Sequence, residues 1–373
     1  MNDKPKTIIS LALLAAVFLS FFAFLLPNLP LKEQTVEQSK QIILTMWHVE
    51  TFEGGTGDRG EWLKKRAYVF QKSHKGVYID VCKTDYRQFK NRLKEGQGFD
   101  LIGFGGGVGL DVLNLLVPLR QAGDIPDDLL CGGKVDGKIY ALPYCTGCYV
   151  TAIRQSDARQ VNGFKGLPSD LYNCALDKKI GKTTRKLASV ATGFGAFNNP
   201  LAALSLNADQ NAKSGDVCCD FDTTQYEAYT SFLRGDKATV LLGTQRDYFR
   251  LDNRQKSGNI GEIIFNALGG FNDLTQYVAV GQNADAEREK LATSFAEFLL
   301  SDASQAALTS VGMLPTTKNA KVPDGFVAEM YAAALKSKTI SAFASQEVLN
   351  GFKTAAKKAV FDGNKSDVKK YLL

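Results

Sequence analysis

The sequence predicts an α/β fold of two lobes, and three observations carry that expectation. Short apolar runs that read as buried strands alternate with segments whose apolar residues recur at helical spacing, the pattern of a parallel sheet flanked by helices. The chain has 373 residues, a length that ordinarily divides into two domains. Its composition, 45% hydrophobic and 23% charged, is that of chains that bury a sizeable core.

Ahead of that pattern, residues 8–26 are apolar apart from Ser10 and Ser20, close to the ~20 residues a helix needs to span a hydrocarbon core. One N-terminal transmembrane helix is expected. A cleaved signal peptide has a shorter apolar stretch, about 7–15 residues, and a small-residue cleavage site. Phe24-Leu25-Leu26-Pro27-Asn28-Leu29-Pro30 has no convincing small-x-small site, so a retained anchor fits better. Lys4 and Lys6 would stay cytoplasmic and leave the bulk of the chain outside. The segment 1–31 is thus signal or anchor with tether, and the polar, Pro-containing stretch 27–41 leads on to the domain.

The fold should start at Ile42. Residues 41–47 read as a buried strand, and 61–71 as a helix with Trp62, Leu63, Arg66, Ala67 and Phe70 on one stripe. A second strand is expected at 77–82, and Tyr86, Phe89 and Leu93 repeat at helical spacing. The strand at 99–104 ends in Gly105-Gly106-Gly107-Val108-Gly109. Residues 138–142 and 148–153 read as strands. Segments 167–211 alternate around Gly193-Phe194-Gly195-Ala196-Phe197-Asn198-Asn199-Pro200, followed by a helix at 225–233 and a strand at 239–242. After Asn283 a helix places Leu291, Phe295, Phe298 and Leu299 on one face, and Asp302 with Gln305 fits a capping box for the next helix. Helices rich in Ala and Lys should fill 327–373.

Charge and motifs exclude several function classes. The net charge of +6 comes from 45 basic and 39 acidic residues spread along the chain, without the basic run of a nucleic-acid arm. The seven cysteines include Cys145-Thr146-Gly147-Cys148, but a structural zinc site takes four N or S ligands, and only His48 and His74 are at hand. Small buried side chains or a structural disulfide is the plainer reading, with pairing left open. The glycines at 103–109 lack G-x-G-x-x-G spacing and no Walker lysine is present, which disfavours nucleotide binding. Neither G-x-S-x-G nor H-E-x-x-H occurs. Glu50 and Glu53 could serve a surface glycan-active enzyme only if folded to a set separation, which the sequence does not fix.

In open α/β sheets ligands bind beyond the carboxyl ends of the strands. The segment after the first strand, Trp47-His48-Val49-Glu50-Thr51-Phe52-Glu53-Gly54-Gly55-Thr56-Gly57-Asp58-Arg59, is therefore the leading site segment. A sugar takes an aromatic plane against its C–H face and carboxylates, amides or arginine against its hydroxyls. Trp47, His48, Glu50, Glu53 and Arg59 supply such groups. The plainer reading places Trp47 in the core and the acids at a helix start, attracted by its dipole.

From Gly235 to Pro315 the chain sets out a specific order of parts. Gly235-Asp236-Lys237-Ala238-Thr239-Val240-Leu241-Leu242-Gly243-Thr244-Gln245-Arg246 is an apolar strand ending at a turn. Asn272-Asp273-Leu274-Thr275-Gln276-Tyr277-Val278-Ala279-Val280 follows, then a helix through Phe295-Ala296-Glu297-Phe298-Leu299-Leu300, then Gln305 and Gly312-Met313-Leu314-Pro315. That order, together with 45–80, resembles the extracellular solute-binding proteins of ABC importers, family 1, of the maltose/oligosaccharide-binding kind. The resemblance covers most of the chain from about Ile42. It implies a two-lobed periplasmic-binding-protein-like fold with a hinge, class II type, with lobe 1 at 42–146 and 270–314 and lobe 2 at 147–269 and 315–373.

It also implies a non-enzymatic role without cofactor or metal: capture of a carbohydrate by hinge closure, for ABC permease subunits at the cell membrane, with the binding domain extracytoplasmic. A sensor module feeding a signalling partner is the alternative. Further contacts are implied at Tyr144, at Phe197 and Asn198, and at Gln245, Arg246 and Tyr248, with Phe271, Asn272 and Asp273, where a hinge crossing is expected, ranked lower. Three departures stand out. The glycine loop carries aromatic and acidic sugar contacts in maltose-binding relatives, whereas here only Phe104 and the backbone at Gly105 remain. Many relatives offer a tryptophan where Gln245 and Arg246 stand, and the lipidated cysteine common in the family has no counterpart before Cys82.

Overall fold

The computed structural model describes residues 13–21, 41–51, 57–159, 177–180, 183–186, 189–191, 198–207, 218–220, 224–235 and 239–373. The chain forms two compact units, Met1–Gln41 and Ile42–Leu373. In the first, residues 13–20 are helical and exposed. No helix among the described residues is long and apolar enough to cross a membrane, and most of the apolar run at 8–26 lies outside those residues.

The second unit is built on two five-stranded sheets. The first has the order β2 (Val77–Thr84), β1 (Ile42–Val49), β3 (Leu101–Phe104), β14 (Gln276–Val280), β6 (Leu142–Cys145). β1 runs parallel to β2 and β3, while β14 is antiparallel to β3 and β6. The period-2 rule is visible in β1: Ile42, Leu44 and Met46 enter one core cluster, Trp47 and Val49 the other. On the first face lies helix α1 (Arg59–Ser73), which buries Trp62, Leu63, Ala67 and Phe70. Asp58 caps it, its carboxylate accepting from the Gly60 and Glu61 amides at 2.7 and 3.3 Å. Helix α2 (Tyr86–Lys94) starts with a full capping box between Asp85 and Gln88.

The second sheet has the order β11 (Cys218–Asp220), β10 (Ser189–Ala191), β12 (Val240–Thr244), β7 (Tyr149–Arg154), β13 (Ile263–Leu268). Helices α3 (Pro200–Asn207), α4 (Gln225–Arg234) and α5 (Gln245–Lys256) belong to this part of the chain. Its connections to the first sheet are short: β6 passes to β7 through 146–148, and β13 returns to β14 through 269–275. A third passage follows helices α6 (Ala286–Phe298) and α7 (Asp302–Ala306), where Leu314 and Thr146 exchange two backbone hydrogen bonds of 2.9 Å. Helix α8 (Phe326–Leu335) then packs Val327, Met330 and Ala334 with Val150 and Tyr248, and α9 (Gln346–Asp362) packs on α3.

Two sequence expectations need correction. The strand expected at 138–142 is two elements. Lys138–Ile139 (β5) pairs back on Lys134–Val135 (β4) across an Asp136-Gly137 turn with φ of 49° and 76°, and the sheet strand starts only at Leu142. A second two-stranded ribbon joins β8 (Asp177–Ile180) to β9 (Thr183–Lys186). The helix expected to be boxed by Asp302 and Gln305 is capped by Ser301, whose hydroxyl accepts from the Ser304 amide. Gln305 is drawn inward instead: its amide donates to the carbonyls of Tyr144 and Leu299 at 2.9 and 2.8 Å and accepts from the Thr316 amide at 2.8 Å. Hydrogen bonds to three buried backbone groups outweigh one surface cap.

Candidate functional site

The strand registers bring the carboxyl ends of β1 and β3 to one edge, with His48 opposite Gly103 and Phe104 opposite Tyr277. In the second sheet the carboxyl end of β12 lies beside the start of β7, Thr244 opposite Tyr149. Both edges therefore adjoin the 146–148 connection, the expected place for a ligand.

On the lobe-1 side, Trp47 is buried against Phe89 and Phe99, at centroid distances of 6.3 and 5.1 Å, with the Arg92 guanidinium over its ring. Its ring is thus enclosed within the core, the plainer of the two sequence readings. His48 is fully buried. Burial and the neighbouring Arg59 hold its imidazole well below the usual histidine range, so it is neutral at pH 7. Glu50 is held at the surface by Lys83, 2.9 Å away, which also binds Asp58 at 2.6 Å. Arg59 is buried at the first turn of α1, and Glu53 lies outside the described residues. Phe104 packs on Tyr277 and Phe343. Gly105 sits close under two side chains: a β-carbon there would lie 2.3 Å from Thr51 Oγ1 and 2.6 Å from Gln276 Nε2 and would displace them. Thr51 in turn donates to Gln276 Oε1 at 3.2 Å.

The connections themselves form a polar seam. Asn272 Nδ2 donates to the Gly147 carbonyl at 2.7 Å and to Thr146 Oγ1 at 3.0 Å, and Thr146 Oγ1 lies 3.0 Å from Thr275 Oγ1. Gln245, fully buried, accepts from the Cys148 amide at 2.9 Å. Asp273 accepts from Tyr149 Oη at 2.6 Å and from Asn199 N and Nδ2 at 2.8 and 3.1 Å. Burial pushes its carboxyl up to about 6, against the pull of those donors. Cys82, Cys131, Cys145 and Cys148 form no disulfide, and burial raises the Cys148 thiol to about 12. Cys174 and the side chains of Cys218 and Cys219 lie outside the description. Among the described residues no cluster of His, Cys, Asp and Glu could hold a metal ion.

The remaining candidates divide. Asn198 is buried just before α3, while Phe197 lies outside the described residues. Tyr248 packs on Phe265 and Phe326 at 5.0 and 4.8 Å, and Phe271 on Phe352 at 5.1 Å, so both rings face lobe cores. Arg246 is half-buried next to Asp247, which accepts from the Thr244 amide at 3.0 Å. Asp252 pairs with Lys256 at 2.7 Å. Tyr144 stacks on Trp62 with its ring planes 17° apart. The structure thus gathers His48, Gly105, Tyr144 and Gln245 near the connections and draws Trp47, Phe104, Tyr248 and Phe271 into cores. Sequence reading missed Thr51, Thr146 and Gln276. Gln276 was detectable as the one polar residue opening an otherwise apolar strand.

No protein-family model matches the chain, and none of the curated proteins does. Solved structures do. The sugar-binding protein MalE from the phytopathogen Xanthomonas citri is 14% identical over 88% of this chain and 95% of that one, with a TM-score of 0.62. The galacto-N-biose-/lacto-N-biose I-binding protein of the ABC transporter from Bifidobacterium longum is 15% identical over 89% and 94%, TM-score 0.58. The GacH receptor of Streptomyces glaucescens GLA.O, solved with acarbose, is 14% identical over 88% and 95%, TM-score 0.57. All three cover nearly their whole length, so the chain has the two-lobed, periplasmic-binding-protein-like α/β fold of these binding proteins.

Proposed function

We propose that the chain is a membrane-anchored, extracytoplasmic solute-binding protein that captures a carbohydrate between two lobes and presents it to ABC permease subunits. The observation that carries this reading is the seam: the two short connections at 146–148 and 269–275 are bonded to each other side by side, where strand ends of both sheets converge. Short paired connections are a hinge, because a few residues absorb the rotation while each sheet moves as a body. The lobes under this reading are 42–146 with 270–314, and 147–269 with 315–373, of class II type. The antiparallel return of β14 into the first sheet supports that type. The carbohydrate assignment rests on the ligands named for the structural neighbours and on the amide and hydroxyl groups of Asn272, Gln245, Thr146 and Thr275 at the seam. Anchoring rests on the apolar run at 8–26.

Thermal unfolding of the full chain in detergent micelles tests it, against maltose, maltotriose, chitobiose, lacto-N-biose, sugar acids, polyamines and peptides. A sugar at about 100 times its Kd adds roughly 2.7 kcal/mol, a readily measured rise in melting temperature. A shift with one sugar class is the expected outcome. A shift confined to charged solutes or peptides overturns the carbohydrate assignment, and no shift with any solute overturns the binding role.

A further inference from the structure

A cavity of about 490 Å³ opens at one end of the second sheet, a size within the roughly 300–1,000 Å³ of small-molecule sites. β7 starts beside the 146–148 connection with Tyr149 and ends at Arg154, and β13 starts with Ile263 opposite Arg154 and ends with Leu268 opposite Tyr149. The cavity lies at the Arg154 and Ile263 end, roughly 17 Å from the connections at about 3.3 Å per strand residue. Its floor is apolar: Phe232 and Ile263 are 1% and 8% exposed, with Leu233 and Ile260 half-buried beside them. Arg154 lies over the Phe232 ring, 5.1 Å from its centroid, and is already engaged, donating to Asp157 at 2.7 and 2.6 Å and to the Phe232 carbonyl. Two further charged residues, Arg159 and Glu262, line the same cavity and are exposed, which places them at its mouth. Arg159 Nη2 donates to Gln155 Oε1 at 2.7 Å, and the Gln155 amide donates to the Glu262 carbonyl at 2.8 Å, so Gln155 ties both residues to one rim. Among the described residues neither the Arg159 guanidinium nor the Glu262 carboxylate has an ion-pair partner.

We propose that this cavity is a second binding site, for a small zwitterion with an apolar body: an apolar amino acid or a short apolar peptide. The Arg159 guanidinium presents donors in the planar fork that matches the two oxygens of a carboxylate. An ammonium has donors only and the Glu262 carboxylate acceptors only, so the second charge is matched as well. The apolar side chain then covers Phe232, Leu233 and Ile260 and leaves water with them. With Arg154 neutralised by Asp157, the charges of Arg159 and Glu262 cancel. A simple anion or cation would leave one of them unmatched beside its apolar body, whereas a zwitterion matches both. The site lies at the opposite end of the sheet from the seam and does not depend on the carbohydrate reading.

The test is calorimetric titration of the full chain in detergent with L-leucine, L-phenylalanine, the dipeptide leucyl-phenylalanine, and two analogues that each lack one charge, 3-phenylpropionate and 2-phenylethylamine. A zwitterion should bind saturably at one site per chain, at least about tenfold more tightly than either analogue. Arg159→Gln and Glu262→Gln, both at exposed positions, should melt at the wild-type temperature without ligand and should each bind at least about tenfold more weakly. Ile260→Trp, which fills the cavity, should abolish binding. Binding of the free amino acids alone supports the site with an amino acid as its ligand, and binding of the dipeptide alone supports it with a peptide. Equal affinity for a one-charge analogue overturns the proposal, as does wild-type affinity in both glutamine variants. A ligand-free melting temperature lowered by several degrees in both glutamine variants overturns it too, by showing that the two charges serve the fold. Silence with all three zwitterions overturns it and leaves the sugar-binding role untouched.

Discussion

At the scale of single residues, burial decides what a side chain is for. Trp47 has the chemistry of a sugar platform, yet its ring is enclosed by Phe89, Phe99 and Arg92. Trp47→Ala should therefore cost about 3–5 kcal/mol in urea unfolding, as for other large buried aromatics; a loss of sugar affinity at unchanged stability would refute the core role. Asp273 makes a pH prediction. Its folded value, about 6, lies above the ordinary 3.8, so the proton is held more tightly in the folded chain. That contribution is fully present below about pH 4 and is lost as pH rises through about 6. Asp273→Asn lacks this dependence. Its stability relative to wild type should improve between pH 4.5 and pH 7.5 in paired urea titrations, and a constant difference would show that the carboxyl titrates normally. The sequence left Trp47 between core and site and gave no sign of the burial of Asp273, because an aromatic or an aspartate carries no mark of the neighbours that will enclose it.

At the scale of elements, much more was legible. β1, β2, α1 and α2 form within a few residues of where periodicity places them, since each depends on local alternation and on caps such as Asp58 and Asp85. The misreadings at Leu142 and Ser301 both arise where a distant partner overrides a local signal: the Asp136-Gly137 hairpin splits one run, and the carbonyls of Tyr144 and Leu299 recruit Gln305. The first connection makes its own prediction. A β-carbon on Gly147 would lie 2.5 Å from Gln245 Oε1, the atom that accepts from the Cys148 amide. Gly147→Ala should lower stability by about 1–3 kcal/mol through overpacking, read by chemical denaturation. It should also weaken sugar binding, because the displaced Gln245 belongs to the seam; unchanged stability and affinity would mean that the connection yields freely.

At the scale of the whole molecule, two α/β sheets are joined by connections too short to act independently, and under the proposed function their pairing turns ligand contact into a change of lobe angle. The apolar run at 8–26 predicts that the full chain, expressed in a bacterial host, stays with the membrane pellet after an alkaline carbonate wash and keeps its N-terminus by mass spectrometry. Release into the wash, or a terminus beyond residue 26, would replace the anchor with a cleaved signal. Strand order and the return of β14 and α6 to the first sheet followed the order of parts between Gly235 and Pro315.

By itself the sequence determined the alternation of strands and helices, because periodicity and caps are local properties, while the two-lobed architecture came from the resemblance carried by its order of parts. Only the tertiary structure decided which of the candidate residues meet. Trp47 and His48 are neighbours in one strand, and alternation sends them to opposite faces, one into an aromatic core and the other towards Gly103 and Tyr144. The partners that enclose them lie 42 to 96 positions away in the chain, a separation at which no local pattern in the sequence specifies contact.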